Sequence, residues 1–214
     1  MNNRVSSSQY DELFAGLPGD FERKAFALFQ LQYEQNDLYH RFARLSGTDP
    51  QNLRELGQVP FLPISFFKTH EVRTGRFEPE IIFESSGTTG QAVSRHELKS
   101  VALYRESFMR GFELFYGPVS DYCIIGLLPA YLERKGSSLV FMVDELIRRS
   151  RHPQSGFYLY AFSELHDLLA DLEKKKQKTL LIGVSFALLD FAAAFPMELN
   201  WGLIMETGGR KGRR

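Results

Sequence analysis

The chain has 214 residues, 43% of them hydrophobic, with 26 basic and 26 acidic side chains and a single cysteine. That balance excludes an intrinsically disordered chain, offers no net positive charge for nucleic acid or an anionic membrane, and leaves Cys123 with neither a disulfide partner nor a cysteine metal site. No apolar run approaches the roughly 20 residues that span a bilayer, and the polar start lacks the hydrophobic region of a secretory signal, so a cytoplasmic protein without a membrane span is expected.

In chain order, apolar positions from Phe21 to Leu45 recur near helical spacing, which predicts a long helical region over 20–45, broken near Asn36. Asp20 is its expected N-cap and Gly47 its stop. Two prolines, Pro60 and Pro63, forbid a helix throughout 59–64 and predict an extended connector. A β-prone run over 80–83 feeds a Ser- and Gly-rich turn, and 92–98 reads as the returning strand, so the two form a hairpin around the turn.

A helix is expected over 100–115, with Leu103, Phe108, Phe112 and Phe115 on its apolar face. The continuous apolar run 122–128 then predicts a buried strand. From there the pattern alternates: helix 137–149, strand 157–160, helix 164–176 opened by Ser163, strand 179–183, helix 185–195 and strand 203–205. Such alternation predicts an α/β fold with crossover connections and ligands beyond the strand ends. A helical N-terminal region, 1–58, would precede an α/β domain, 59–214.

The turn between the first two strands carries the most chemistry. In Phe83-Glu84-Ser85-Ser86-Gly87-Thr88-Thr89-Gly90, the glycines permit successive N–H groups to point into one concavity, and the hydroxyls add donors without negative charge. An anion such as phosphate suits that arrangement, although Ser, Thr and Gly also dominate ordinary loops. A Walker P-loop is excluded, because only Thr88 and Thr89 separate the glycines and no Lys-Ser or Lys-Thr follows.

At 83–90 the sequence resembles the phosphate-binding signature of the adenylate-forming ligases, which include acyl-CoA synthetases, luciferases and phenylacetate-CoA ligase. Pro63-Ile64-Ser65-Phe66-Phe67-Lys68-Thr69 and Met205-Glu206-Thr207-Gly208-Gly209-Arg210-Lys211-Gly212-Arg213-Arg214 resemble the acyl-protein synthetase branch, typified by the LuxE component of the bacterial bioluminescence fatty acid reductase. Leu127-Leu128-Pro129-Ala130-Tyr131 resembles the superfamily's Leu-Pro-x-aromatic segment, and Leu181-Ile182-Gly183-Val184-Ser185 its strand-to-helix step before the substrate wall.

The resemblance implies an adenylate-forming (AMP-binding) α/β domain that uses ATP and Mg²⁺ to turn a fatty or other carboxylic acid into an acyl adenylate. The acyl group would then pass to a protein thiol, with an acyl-CoA reductase as a candidate acceptor. Phosphate contact would fall to Ser85, Ser86, Gly87, Thr88, Thr89 and Gly90. Tyr131 would border the pocket, or equally serve as a core or rim aromatic, and Gly208 and Gly209 would approach adenine or simply form a turn.

Departures from the family pattern are substantial. Gln91-Ala92-Val93 replaces the common Pro-Lys-Gly, and the later Tyr-Gly-x-Thr-Glu element, the ribose-binding aspartate and the C-terminal lid with its lysine are not found. The expectation is an incomplete front part, with the lid domain absent and little complete ligase activity by itself. A phenylacetate-type acyl-CoA ligase fragment and a catalytically inactive nucleotide- or acyl-binding module are the alternatives.

No catalytic residue is assigned from sequence. His96, without a defined partner, reads as structural; Lys68 as an aliphatic stem over apolar surface with a wet charge; Cys123 as a buried, unreactive thiol rather than an acyl acceptor. The basic end, Arg210, Lys211, Arg213 and Arg214, reads as a solvated tail or as a segment that continues into something further.

Overall fold

The computed structural model describes residues 20–85, 93–128, 136–159 and 161–208. The chain divides into two compact units, Met1–Leu103 and Tyr104–Arg214. No helix among the described residues is long and apolar enough to cross a membrane.

In the first unit, helices α1 (Phe21–Gln35) and α2 (Asp37–Leu45) meet at Asn36, where the sequence predicts the break. Asn36 is extended and buried; its N–H donates to Gln32 O, and its side-chain oxygen accepts from Tyr39 N at 3.1 Å. One residue therefore ends α1 and caps α2. Asp20 stands at the N-cap position of α1, but its carboxylate pairs with Arg23 and makes no cap bond, a correction to its expected role. The buried side chains of this helical pair are Phe29, Tyr39 and Ala43, with Phe29 and Tyr39 edge to face.

The connector 59–64 is non-helical, as its prolines require, and the Tyr39 hydroxyl donates to Pro60 O at 2.7 Å. A single helical turn, α3 (Phe66–Thr69), follows it. Strands β1 (Ile81–Glu84) and β2 (Arg95–Leu98) pair antiparallel, with Ile81 opposite Leu98 and Glu84 opposite Arg95. Phe83 and Leu98 are their buried side chains.

The second unit is built on a four-stranded parallel sheet. Helix α4 (Val101–Tyr116) leads into β3 (Cys123–Leu127), followed by α5 (Ser138–Ser150), β4 (Gly156–Phe157), α6 (Phe162–Lys174), β5 (Thr179–Val184), α7 (Ser185–Ala194) and β6 (Gly202–Thr207). The order across the sheet is β4-β3-β5-β6. The α/β class and crossover connections expected from the alternation are therefore present.

Alternation along the strands sorts the core into two layers. Ile125 and Leu181 pack with α6 and α7 through Leu165, Leu169 and Phe191. Ile124 and Ile182 point the other way, onto α4 and α5 through Phe112, Val143 and Leu146. Opposite faces are what right-handed crossovers demand, because the connection from β3 to β4 runs toward one edge and those from β4 to β5 and on to β6 run toward the other.

Three local expectations are corrected. Phe115 is 78% exposed; Met109 and Phe112 are the buried residues of α4, because they lie three apart on its inner stripe. Ser163 does not cap α6, which opens two residues earlier than expected, at Phe162, with Ala161 at the N-cap position and Leu165 N donating to Ala161 O. The strand expected over 157–160 is only Gly156–Phe157, although Tyr158 N still donates to Gly126 O; Tyr160 lies outside the described residues.

Between α4 and α5, the carboxylate of buried Glu145 lies 3.1 Å from Arg105, with Arg148 and Arg149 at 3.7 and 3.6 Å. On the other side of the sheet, Glu173 of α6 accepts from Asn200 N at 2.9 Å and Trp201 N at 3.1 Å, which anchors the entry into β6.

Gly126 must lack a side chain: a Cβ there would sit 2.7 Å from the Phe157 ring and 3.2 Å from Val143. Gly126→Ala is expected to destabilise the protein by about 1–3 kcal/mol through overpacking, read as a lower urea midpoint. The backbone N–H of Trp201, then that of Asn200, hold the Glu173 carboxyl below its ordinary value of 4.5. Its stabilising effect is thus complete above about pH 4.5 and is lost as pH falls below that value through the folded pKa. The difference in melting temperature between the unaltered protein and Glu173→Gln should shrink over that acidic range; a pH-independent difference would contradict the anchor.

Candidate functional site

In the first unit the candidate is the Ser/Gly turn carried by β1 and β2. The strand ladder continues past Glu84: Ser85 N donates to Ser94 O, and Ser94 N donates to the Ser85 hydroxyl oxygen, both at 2.9 Å. Ser85 therefore closes the base of the turn, a role its sequence position did not disclose. Its hydroxyl can still donate a proton of its own. Ser86, Gly87, Thr88, Thr89 and Gly90 lie outside the described residues.

Around that base the charges are modest. Arg95 and Glu84 face each other across the ladder at 3.8 Å, both largely exposed. His96 stacks on Phe67 with ring centroids 5.6 Å apart. Although His96 keeps considerable accessible surface, crowding of its ring lowers its pKa, so it is neutral near pH 7 and offers no charge to an anion. This stack ties α3 to β2 and supports a structural role. Lys68, next to Phe67, is exposed and has no ion-pair partner among the described residues.

In the second unit the candidate lies at the carboxyl ends of the parallel strands. Direction reverses between β3 and β5, and open α/β sheets bind ligands in the crevice outside such a switch point. Leu128 follows β3, Ser185 follows β5, and Gly208 follows β6. Tyr131 and Gly209 lie outside the described residues, whereas Gly208 has φ +92°, a conformation that favours glycine.

Two side chains that the sequence reading left without a role stand at this end. The buried Ser185 hydroxyl donates to Gly208 O at 2.8 Å. Thr207 Oγ1 is buried and has no hydrogen-bond partner among the described residues, and Thr207 lies directly opposite Val184 in the β5–β6 ladder. The available sequence signal was their shared position at strand ends, but neither residue type is distinctive there.

Cys123 lies at the opposite, amino end of β3. Its side chain is fully buried, and burial pushes the thiol up to about 11, against the smaller lowering effect of the Ser155 hydroxyl, whose oxygen is 3.9 Å from Sγ. The thiol is protonated and sealed at neutral pH. Among the described residues no group of three or more His, Cys, Asp or Glu side chains could hold a metal ion.

Cys123 should therefore stay unmodified by a disulfide reagent such as DTNB at pH 8 in the folded protein and react fully in urea. Rapid labelling without denaturant would show that the thiol is accessible after all.

Compared with known proteins, the chain matches no family model, no curated protein and no solved structure.

Proposed function

We propose that this chain carries the adenylate-forming chemistry of an acyl-protein synthetase of the LuxE-like branch, activating a fatty or other carboxylic acid with ATP. One observation carries the reading: a hydroxyl- and glycine-rich signature, 85–90, that begins on a hairpin whose base is closed by two hydrogen bonds between Ser85 and Ser94. A turn held at its base limits the conformations that must be ordered when an anion binds. The parallel sheet with its switch between β3 and β5 is a second, coarser support.

In the proposed reaction a substrate carboxylate oxygen attacks the α-phosphorus of ATP, and the bond to the bridging oxygen of pyrophosphate breaks. Backbone N–H groups and hydroxyls of 85–90 would donate to the departing pyrophosphate, where negative charge develops. Mg²⁺ would supply further charge neutralisation and, with no cluster of protein ligands among the described residues, would enter largely on the phosphates. A thiolate on an acceptor protein then attacks the acyl carbonyl and AMP leaves. The sealed Cys123 thiol is unsuited to that step.

Melting in the presence of ATP-Mg²⁺, and of a non-hydrolysable acyl-sulfamoyl adenosine, tests the reading. Ligand at one hundred times its dissociation constant stabilises by about 2.7 kcal/mol, about 5–10 °C for a protein of this size. Thr88→Ala/Thr89→Ala should abolish most of the ATP shift. An unaltered protein indifferent to both ligands would sink the proposal. Binding without any acyl adenylate formed would leave a nucleotide-binding module, and transfer to CoA in preference to a protein thiol would favour the phenylacetate-type branch.

A further inference from the structure

We infer that Ser185 is a positioning residue for nucleotide binding, acting through the Gly208 carbonyl; the role rests on the adenylate-forming reading. The β5–β6 ladder ends at the pair Val184 and Thr207. Beyond it, among the described residues, no ladder pair follows, yet the next residue on each strand is joined by the Ser185 hydroxyl donating to Gly208 O at 2.8 Å. This side chain extends the tie between the strands by one residue, at the carboxyl end of the sheet.

Its partner is a backbone that needs such a tie. Gly208 has φ +92°, and an open Cβ position, with Val184 Cγ1 4.0 Å away, shows that packing alone does not set its direction. Glycine has the widest choice of backbone angles, so a single hydrogen bond to its carbonyl removes much of that freedom. Ser185 is the first residue of α7, with Val184 extended before it, so the hydroxyl is held by a ten-residue helix and a buried strand. It is not used to cap its own helix: no side-chain cap bond is made at that terminus.

The consequence is that the Gly208 carbonyl, at the exit from β6, is oriented before any ligand arrives. On the adenylate-forming reading this exit contacts the nucleoside, so fixing it lowers the ordering cost of binding. Next to it, the Thr207 hydroxyl is a buried donor that no described residue uses. Ser185 touches neither substrate nor reacting atoms in this role.

The test is calorimetric titration of the full chain with acyl-sulfamoyl adenosine, together with amide hydrogen exchange over 203–208 in the ligand-free protein. Ser185→Ala should speed exchange at Thr207 and Gly208 and weaken binding about 3- to 10-fold, the equivalent of one modest hydrogen bond. Ser185→Thr, which restores the hydroxyl, should bind within about twofold of the unaltered protein. Faster exchange with unchanged affinity would overturn the role, as would a lower melting temperature with no change in either readout. If the unaltered protein fails to bind the probe, the functional reading falls and this role with it; if it binds and Ser185→Ala binds equally, only the role falls.

Discussion

Pairing of β3 with β5 is the constraint on which the second unit depends. From Cys123 opposite Thr179 to Leu127 opposite Gly183, two strands distant in sequence run in register with nearly every side chain buried. A slip of one residue would move each side chain to the other face, against a differently shaped helix layer, and would take Gly126 from under the Phe157 ring and Gly183 from beside Leu188, where no side chain fits. Once that pair is set, the remaining elements have few choices. β4 must lie beyond β3 and β6 beyond β5, and the handedness of the crossovers then assigns α5 to one face and α6 and α7 to the other.

The same pairing also sets the switch point of the sheet. Connections leaving β3 and β5 travel in opposite directions, the arrangement that in open α/β sheets places ligands at the carboxyl ends of the strands. Ser185, Thr207 and Gly208 stand at this end of the sheet, while Cys123 is sealed at the other. Its position explains why the single thiol contributes packing rather than chemistry.

Polar anchoring sharpens what hydrophobic layering leaves loose. Glu145 is a carboxylate buried among guanidinium groups from two helices, an arrangement that restricts how α4 and α5 slide past one another rather than adding much net stability. Glu173 does similar work by receiving two backbone N–H groups at the entry to β6. In the first unit Asn36 and Tyr39 act in the same way, one joining two helices and the other tying a helix to the connector. Ser85 and Ser94 apply this logic at the end of the β1–β2 ladder, which they extend by one residue on each strand.

Sequence alone determined the α/β class, the break at Asn36, the non-helical 59–64 connector, the hairpin and the alternating order of the second unit. Each follows from local physics: proline geometry, the period of apolar residues, and strands that are apolar throughout because both faces are covered. The family resemblance directed attention to 85–90 and to Gly208. What the tertiary structure decided were partners separated by many residues: which edge each strand joins, which side of α4 is buried, and that Asp20 turns to Arg23. It also decided that Ser85 closes a turn and that Ser185 reaches Gly208, 23 positions away. A serine's hydroxyl is equally able to cap, to donate or to face water, so its role is set by whichever carbonyl or N–H the fold brings within reach.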